Sequence, residues 1–421
     1  LSLASAVATN ASGEVDTSFG GYLTNLPGGI VNRIVVQADG KVLAAGNFRF
    51  ARSFSRAGLI RFNTDGTIDA GFQPPAFYNS SGVGGTINCM VLQPDGKILV
   101  GGDFQGANSI PKQGMMRLNA DGSIDETFNV LLNAGGTVLD IIVMTDGRLM
   151  IAGNFTINDP GGNRVGIARL NSNGSLDPIL YQNIVAVNKL LLLADGRLIA
   201  GNASSLRRYT ADGIFDPTYI SVTVGGGAVL DMHLLGSGKI LVAGAFSTVN
   251  TFTMRGLFRV NADGSVDSAF NPTGTSVSGW VSGITPTPEG KLLIFGTFSQ
   301  YTAFTRKSAA LMDENGLIDQ SFNFSQHNYG SPIADMAFLP DGKIMVGGQS
   351  TAQSTAGAQN ALTKINTDGS VDTTFSLPIY NSPGAAYVVR VQPDGKIVVA
   401  GQFVGAGGLP RASIARFNPD G

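Results

Sequence analysis

Two short glycine turns alternate along this chain, and their alternation leaves few architectures open. The first signature reads QADGKVLAAGNF (37–48), QPDGKILVGGDF (93–104), MTDGRLMIAGNF (144–155) and LADGRLIAGNAS (193–204). It continues as LGSGKILVAGAF (235–246), TPEGKLLIFGTF (287–298), LPDGKIMVGGQS (339–350) and QPDGKIVVAGQF (392–403). The second signature stands between these copies, as RFNTDGTIDAGF (61–72), RLNADGSIDETF (117–128), RVNADGSVDSAF (259–270) and KINTDGSVDTTF (364–375). The first-signature glycines Gly40, Gly96, Gly147, Gly196, Gly238, Gly290, Gly342 and Gly395 are spaced 56, 51, 49, 42, 52, 52 and 53 residues apart. A fixed period of about 50 residues marks an array that grows by copying one supersecondary unit.

Each unit holds four strand candidates, illustrated by INCMVLQ (87–93), KILVGGDF (97–104), MMRLN (115–119) and IDETF (124–128). The DG turns between them supply the positive φ that tight hairpins need, and helical periodicity is absent. Units of this size with four antiparallel strands are propeller blades. The expected fold is therefore all-β: one β-propeller domain over residues 1–421 with eight four-stranded blades, or seven if the short fourth unit is not a full blade. The chain stops at RFNPDG (416–421), before a fourth strand, and GEVDTSF (13–19) supplies that piece. The ring is thus expected to close through the N-terminal strand, which completes the last blade. LSLASAVATN lacks the charged n-region of a signal peptide and aligns instead with the second signature. A chain that opens in mid-repeat implies a longer, multidomain precursor.

Composition removes several function classes. A net charge of −2 without a basic cluster lacks the electrostatic footprint of nucleic-acid binding. No run of 18 apolar residues exists, and the richest stretch, 184–193, is broken by Asn188 and Lys189, so no membrane span is expected. Cys89 is the single cysteine, which excludes an intrachain disulfide and a Cys-based metal site. Two histidines, His233 and His327, do not make a His-based one without carboxylates. The N-x-D-G-x-x-D spacing lacks the leading Asp and distal Glu of a calcium loop, and its repetition suits a turn. No metal or cofactor is expected. The Asp of IDxxF (Asp69, Asp125, Asp267, Asp372) is expected to bond its own turn and to pair with the Arg that precedes the turn Asn (Arg61, Arg117, Arg169, Arg259).

The pair QPDGKILVGGDF and RLNADGSIDETF resembles the Delta-60 repeat, a β-propeller domain of unknown function in large secreted or surface proteins of bacteria. The resemblance runs over essentially the whole chain. It implies a propeller and an extracellular or cell-surface setting, with other domains of the same precursor as neighbours, and it carries no catalytic residues. Units four and seven depart from it, with Ser204 and Ser350 where the first signature has Phe.

With four strands per blade, both DG turns fall on one face and the variable loops on the other. A rigid scaffold with one variable loop face is where binding is expected. Aromatic residues gather there in the later units: Trp280, Tyr301, Phe304, Phe324, His327, Tyr329 and Tyr380. Such rings either stack on sugars or enter a protein interface, or they pack the loops onto the rim, which is the favoured reading. In unit four Gly201 to Thr210 spans 9 residues where Gly102 to Asn119 spans 17, so a notch is expected in that face. On the innermost strands Arg33, Asp140, Lys189, Asp231, Asp335, His233 and Arg390 fall near the mouth of the central channel. They would hold a polar ligand or ion, or would pair between blades, and pairing is the favoured reading because partly buried charges need partners.

The expected function is non-enzymatic: an extracellular module that binds a carbohydrate or protein through its loop face. A structural spacer without a ligand is the alternative. A glycan hydrolase or lyase using Asp140, Asp231 or Asp335 with His233 is a further one, since paired carboxylates do such work when one is held protonated.

Overall fold

In the computed structural model of the chain each first signature is an antiparallel hairpin, and the strand before the second signature lies along its outer edge. The structure describes residues 30–49, 57–80, 84–159, 162–177, 186–270, 277–301, 304–324, 333–348, 362–372, 379–380, 385–403, 405–406, 409–410 and 413–418. Unit one consists of an inner strand Val31–Val36, a middle strand Val42–Arg49 and an outer strand Ala57–Phe62. Unit two repeats this with Ile87–Leu92, Ile98–Gly102 and Met115–Leu118. The same order recurs through unit eight, which has Ala385–Val391, Ile397–Gln402 and Ile414–Phe417.

The fourth strand is shorter than expected. Beyond each second turn the chain makes a single bridge, such as Phe62 to Ile68, Leu118 to Ile124 and Val260 to Val266. The next residue is the signature Asp, and its side chain ends the strand. Asp125 Oδ1 accepts the backbone N–H of Thr127 at 3.0 Å, and Phe128 N–H turns back to the Asp125 carbonyl. A carboxylate that bonds the backbone two residues on holds a turn, so the ladder stops. Among the described residues the fourth position of seven units is thus a single bridge rather than a full strand.

Apolar side chains are divided between the two faces of every middle strand, as period-two geometry requires. Val42 and Ala44 pack toward Val388, Val398 and Ile414 of unit eight. Leu43 and Ala45 pack toward Met90, Ile98 and Val100 of unit two. Eight such clusters each join two neighbouring sheets. A middle strand sandwiched this way must be apolar on both faces, which explains runs such as ILVGG. The inner strands touch in unit order from one to eight, and Val31–Val36 also touches Ala385–Val391 of unit eight. The expected closing strand, 13–19, lies outside the described residues.

The invariant glycine of xxGxF has a steric origin. The inner strands of all units but the fourth carry a register shift near their start, for example between Val31 and Arg33 and between Ile87 and Cys89. The bulge brings a carbonyl over the middle strand, and a Cβ at Gly46, Gly102 or Gly153 would collide with the oxygen of Ile30, Thr86 or Thr137. No described helix is long and apolar enough to cross a membrane.

Candidate functional site

At the end of the sheets away from the DG turns, the connection between middle and outer strand in units two, five, six and eight folds into a small hairpin of its own. Gly106–Ala107 pairs with Ile110–Pro111, and Thr248–Val249 pairs with Phe252–Thr253. Gln300–Tyr301 pairs with Phe304–Thr305, and Gly405–Ala406 with Leu409–Pro410. The tips use residues that tolerate a left-handed backbone, with φ of 46° at Asn108 and 51° at Asn250. Both asparagines also hold the segment that enters the unit: Asn108 Oδ1 accepts Ala76 N–H and Asn250 Oδ1 accepts Thr223 N–H, each at 2.9 Å. That segment adds a further strand, Phe77–Tyr78 in unit two and Val222–Gly225 in unit five. The variable face is therefore partly built from ordered hairpins, a feature signalled in the sequence by little more than Asn at their tips.

This face leaves large apolar side chains in solvent. Ile110 and Phe252, next to the hairpin tips, are 41% and 55% exposed, and Trp280, at the entry to unit six, is 47% exposed. The DG-turn face is not free of such residues, since Ile214 and Leu317 replace the usual Thr or Ser of the second turn and are exposed too.

The other expected rings behave differently from Trp280. Tyr301 is buried among Val277, Val281, Phe298 and Met312, and its hydroxyl donates to the Gly316 carbonyl at 3.0 Å. Phe324 is fully buried against Phe322, Ile333 and Met336. These two belong to the core between units and not to an open surface, because the entering segments fold over them. Phe304 is half-buried with the Arg306 guanidinium 5.7 Å from its ring centre. Tyr380 lies in the strand Ile379–Tyr380, which pairs with Gly405–Ala406. His327 and Tyr329 lie outside the described residues. The notch of unit four is occupied: Asn202 Oδ1 accepts the N–H groups of Ser204 and Ser205 in a tight turn, and Val222–Gly225 pairs directly with the outer strand Ser205–Tyr209.

The inner-strand charges are clips between units. Asp140 Oδ2 accepts the backbone N–H of Leu190 in unit four at 3.0 Å. Asp231 does the same for Ile284 in unit six, and Asp335 for Val389 in unit eight. Lys189 Nζ stands 3.7 Å from Asp231, and Arg390 Nη1 donates to Asp335 at 2.6 Å. Arg33 donates to the Asn32 carbonyl, and the Asn32 side chain bonds the Ile87 carbonyl of unit two. His233 follows Asp231 on the same strand, opposite Leu241. Burial pushes the Asp140 and Asp231 carboxyls above the ordinary range, against the pull of Lys189. Asp140, Asp231 and Asp335 thus each have a hydrogen-bonding or ionic partner. Among the described residues no three His, Cys, Asp or Glu side chains gather as metal ligands would.

The DG-turn face carries a second, denser network. Arg61 Nε and Lys41 Nζ both bond Asp69 Oδ2, at 2.8 and 2.9 Å. Arg117 and Lys97 do the same to Asp125, and Arg259 and Lys239 to Asp267. The Arg–Asp pair is the one expected from the sequence, whereas the Lys of DGK is an unexpected third member. The Arg also stacks on the signature aromatic ring, with Arg61 4.4 Å from Phe72 and Arg117 4.6 Å from Phe128. Its Nη1 then reaches the second turn of the next unit: Arg61 to the Ala120 carbonyl, Arg117 to Ser172, Arg169 to Ala211, Arg208 to Ala262 and Arg259 to Glu314.

Six stretches, residues 37–72, 93–128, 145–178, 235–270, 339–375 and 392–421, match the family model described as a domain of unknown function (DUF5122) beta-propeller. No curated protein matches the chain. Among solved structures, the C-terminal WD40 domain of Sif2 aligns over 92% of this chain and 96% of its own, with 13% identity and a TM-score of 0.55. The extracellular domain of a putative hybrid two component system from B. thetaiotaomicron aligns over 91% of this chain and 51% of its own, with 12% identity and a TM-score of 0.41. Puromycin hydrolase aligns over 91% and 61%, with 15% identity and a TM-score of 0.47. The chain thus spans about half the length of the second structure and about three-fifths of the third. The chain is an all-β protein of propeller-like repeats, and likeness at this level of identity speaks to fold alone.

Proposed function

We propose that these propeller repeats, of the Delta-60 kind, close into a single eight-bladed ring that works as a non-enzymatic binding module outside the bacterial cell. Its partner is engaged through the hairpin face. Closure is supported by the contact between the inner strands of units one and eight and by the bond from Arg416 to the Thr64 carbonyl. The extracellular setting rests on the resemblance of the signatures.

The observation that carries the binding reading is that Ile110 of unit two, Phe252 of unit five and Trp280 at the entry to unit six are each exposed on the same face. Exposed aliphatic and aromatic side chains held on ordered backbone suit a protein interface, whose energy concentrates in a few such anchors. A sugar ligand is the second reading, favoured by Trp280 alone, because aliphatic residues offer no flat ring for stacking. The enzymatic alternative is disfavoured by partnering: Asp140, Asp231 and Asp335 are each held by a neighbouring strand's N–H, so a free acid–base pair is missing from the group first considered.

A photo-crosslinking residue placed at Phe252 and, as control, at Thr67 on the DG-turn face tests the protein reading on cells that display the chain. One discrete adduct from Phe252 and none from Thr67 is expected, and equal labelling would overturn it. A glycan array probed with wild type and Trp280→Ala tests the sugar reading, which a blank array removes.

A further inference from the structure

Unit six lacks the arginine that staples other units to their successors. The register identifies the position: Arg61 lies opposite Leu43, Arg117 opposite Leu99 and Arg259 opposite Leu241, and in unit six Leu311 lies opposite Leu293. Leucine has no donor and a shorter reach, and a cleft of about 320 Å³ remains where units six and seven meet on the DG-turn face. Leu311, Phe322 and Phe338 make it apolar within, and Asp319, Glu289 and Lys291 are among its polar walls.

The acceptors that an arginine uses in the sister units are still present. Asp319 is the signature Asp, and its Oδ2 accepts Lys291 Nζ at 2.5 Å, as Asp69 accepts Lys41. In the sisters that same oxygen also takes the arginine Nε. The Lys291 hydrogen bond holds the Asp319 carboxyl down to about 2, so it is ionised at neutral pH. The turn residue equivalent to Ala120 and Ser172 is Thr367 of unit seven, and it lines the cleft together with Asp368. Three carboxylates, from Glu289, Asp319 and Asp368, against one ammonium leave the walls net acidic.

We propose that this cleft binds a guanidinium group supplied from outside the chain, an arginine side chain of a partner polypeptide or a small guanidino compound. The guanidinium bonds the Asp319 carboxylate on one edge and the Thr367 carbonyl on the other, the two contacts that Arg61 makes to Asp69 and Ala120. Phe322 is fully buried here, with Leu311 packed against its cluster, so the ligand's methylene stem rests on Leu311 and not on the ring. Two hydrogen bonds along a planar fork favour a guanidinium over an ammonium. This site faces away from the hairpin face, so it stands or falls independently of the binding function proposed above.

Calorimetric titration of the intact chain with argininamide, with the tripeptide Gly-Arg-Gly and with its citrulline counterpart tests the proposal. Binding of either arginine probe, with the uncharged citrulline peptide at least about tenfold weaker, is the expected result. Argininamide alone would point to a small compound, and a tighter tripeptide to a polypeptide. Leu311→Arg places the missing side chain in cis, and it should remove binding while raising the unfolding temperature. Silence with both arginine probes, equal binding of the citrulline peptide, or undiminished binding by a folded Leu311→Arg would overturn the proposal. The citrulline comparison needs no variant, so a misfolded Leu311→Arg leaves the test intact.

Discussion

The guanidinium of Arg416 donates a hydrogen bond to the backbone carbonyl of Thr64, which lies 352 positions earlier in the chain. Arg61 makes the same reach to Ala120 and Arg169 to Ala211. The seam between units eight and one therefore carries the staple found at internal seams. Gln392 adds a bond to the Gly40 carbonyl at 3.0 Å, and Val388 and Val398 share a core cluster with Val42 and Ala44.

Arg416→Met keeps the apolar stem and removes the donor. Arg416 is buried, and a hydrogen bond from a charged group contributes about 1.5–3 kcal/mol. Urea denaturation should show a loss of that size. Arg61→Met, in an internal seam, sets the scale. Equal losses mean that the terminal seam is closed as tightly as the others, and no loss at Arg416 means that it is open in solution.

The two Asp networks predict opposite pH responses. Burial would raise Asp69, Asp125 and Asp267, but hydrogen bonds from Lys41, Lys97 and Lys239 with their arginines outweigh it and hold these carboxyls below the ordinary value of 3.8. A depressed folded pKa contributes stability above the unfolded value, and that contribution is lost as pH falls through the folded one. For Asp319 the loss runs from 3.8 down to about 2. Asp140 and Asp231 are raised by burial, so each contributes a slope of the opposite sign: stability falls as pH rises from 3.8 through the folded value. In melting temperatures followed from neutral to acid pH, Asp319→Asn should flatten the limb below about pH 4. Asp140→Asn should instead remove the opposite slope, on the alkaline side of 3.8. An unchanged acid limb in Asp319→Asn would show that the Lys291 pair contributes nothing.

Gly102→Ala should destabilise more than Gly147→Ala. The added Cβ at Gly102 meets the Thr86 oxygen and lies 3.0 Å from Ile87 Cα, both backbone atoms with no freedom to swing aside. Gly147 has open space and only a φ of 83° to strain. Overpacking of this kind costs about 1–3 kcal/mol, against about 1–2 kcal/mol for a left-handed non-glycine residue. Guanidinium denaturation of the two variants checks the order, and a larger loss at Gly147 would refute the steric account.

What could be read from the residues was whatever repeats locally. The period, the turn glycines and the Arg61–Asp69 pair all lie within one hairpin, so spacing alone reveals them. The burial of Tyr301 and Phe324 was hidden because their covers come from elsewhere in the chain: Val277 and Val281 for the one, Ile333 and Met336 for the other. Single-sequence periodicity says nothing about such contacts. The fourth strand was overestimated because IDxxF has strand-like residues, while the Asp125 carboxylate bonds the backbone ahead of it, at Thr127, instead of its own DG turn, and so ends the ladder. Leu311 stands in plain sight where the other copies have Arg or, in unit seven, Lys364, yet the substitution means nothing until Arg117 is seen crossing to Ser172 of the next unit.

Trp280 and Tyr301, two rings of one variable face by sequence, should respond oppositely to truncation. Trp280 is held through its backbone, where its carbonyl accepts Thr297 N–H at 3.0 Å, and its indole is half in solvent. Trp280→Ala removes only the part of the ring that is packed, so its loss of unfolding free energy should be clearly smaller than that of a fully buried ring. Tyr301 fills the core between units five and six and donates to Gly316, so Tyr301→Ala should lose about 3–5 kcal/mol, the range for a large buried aromatic ring. Denaturation curves of the two variants separate these outcomes, and a large loss at Trp280 would mean that the indole is a packing element. If Trp280→Ala keeps its stability but loses a loop-face partner or a glycan, the ring acts by contact with that ligand.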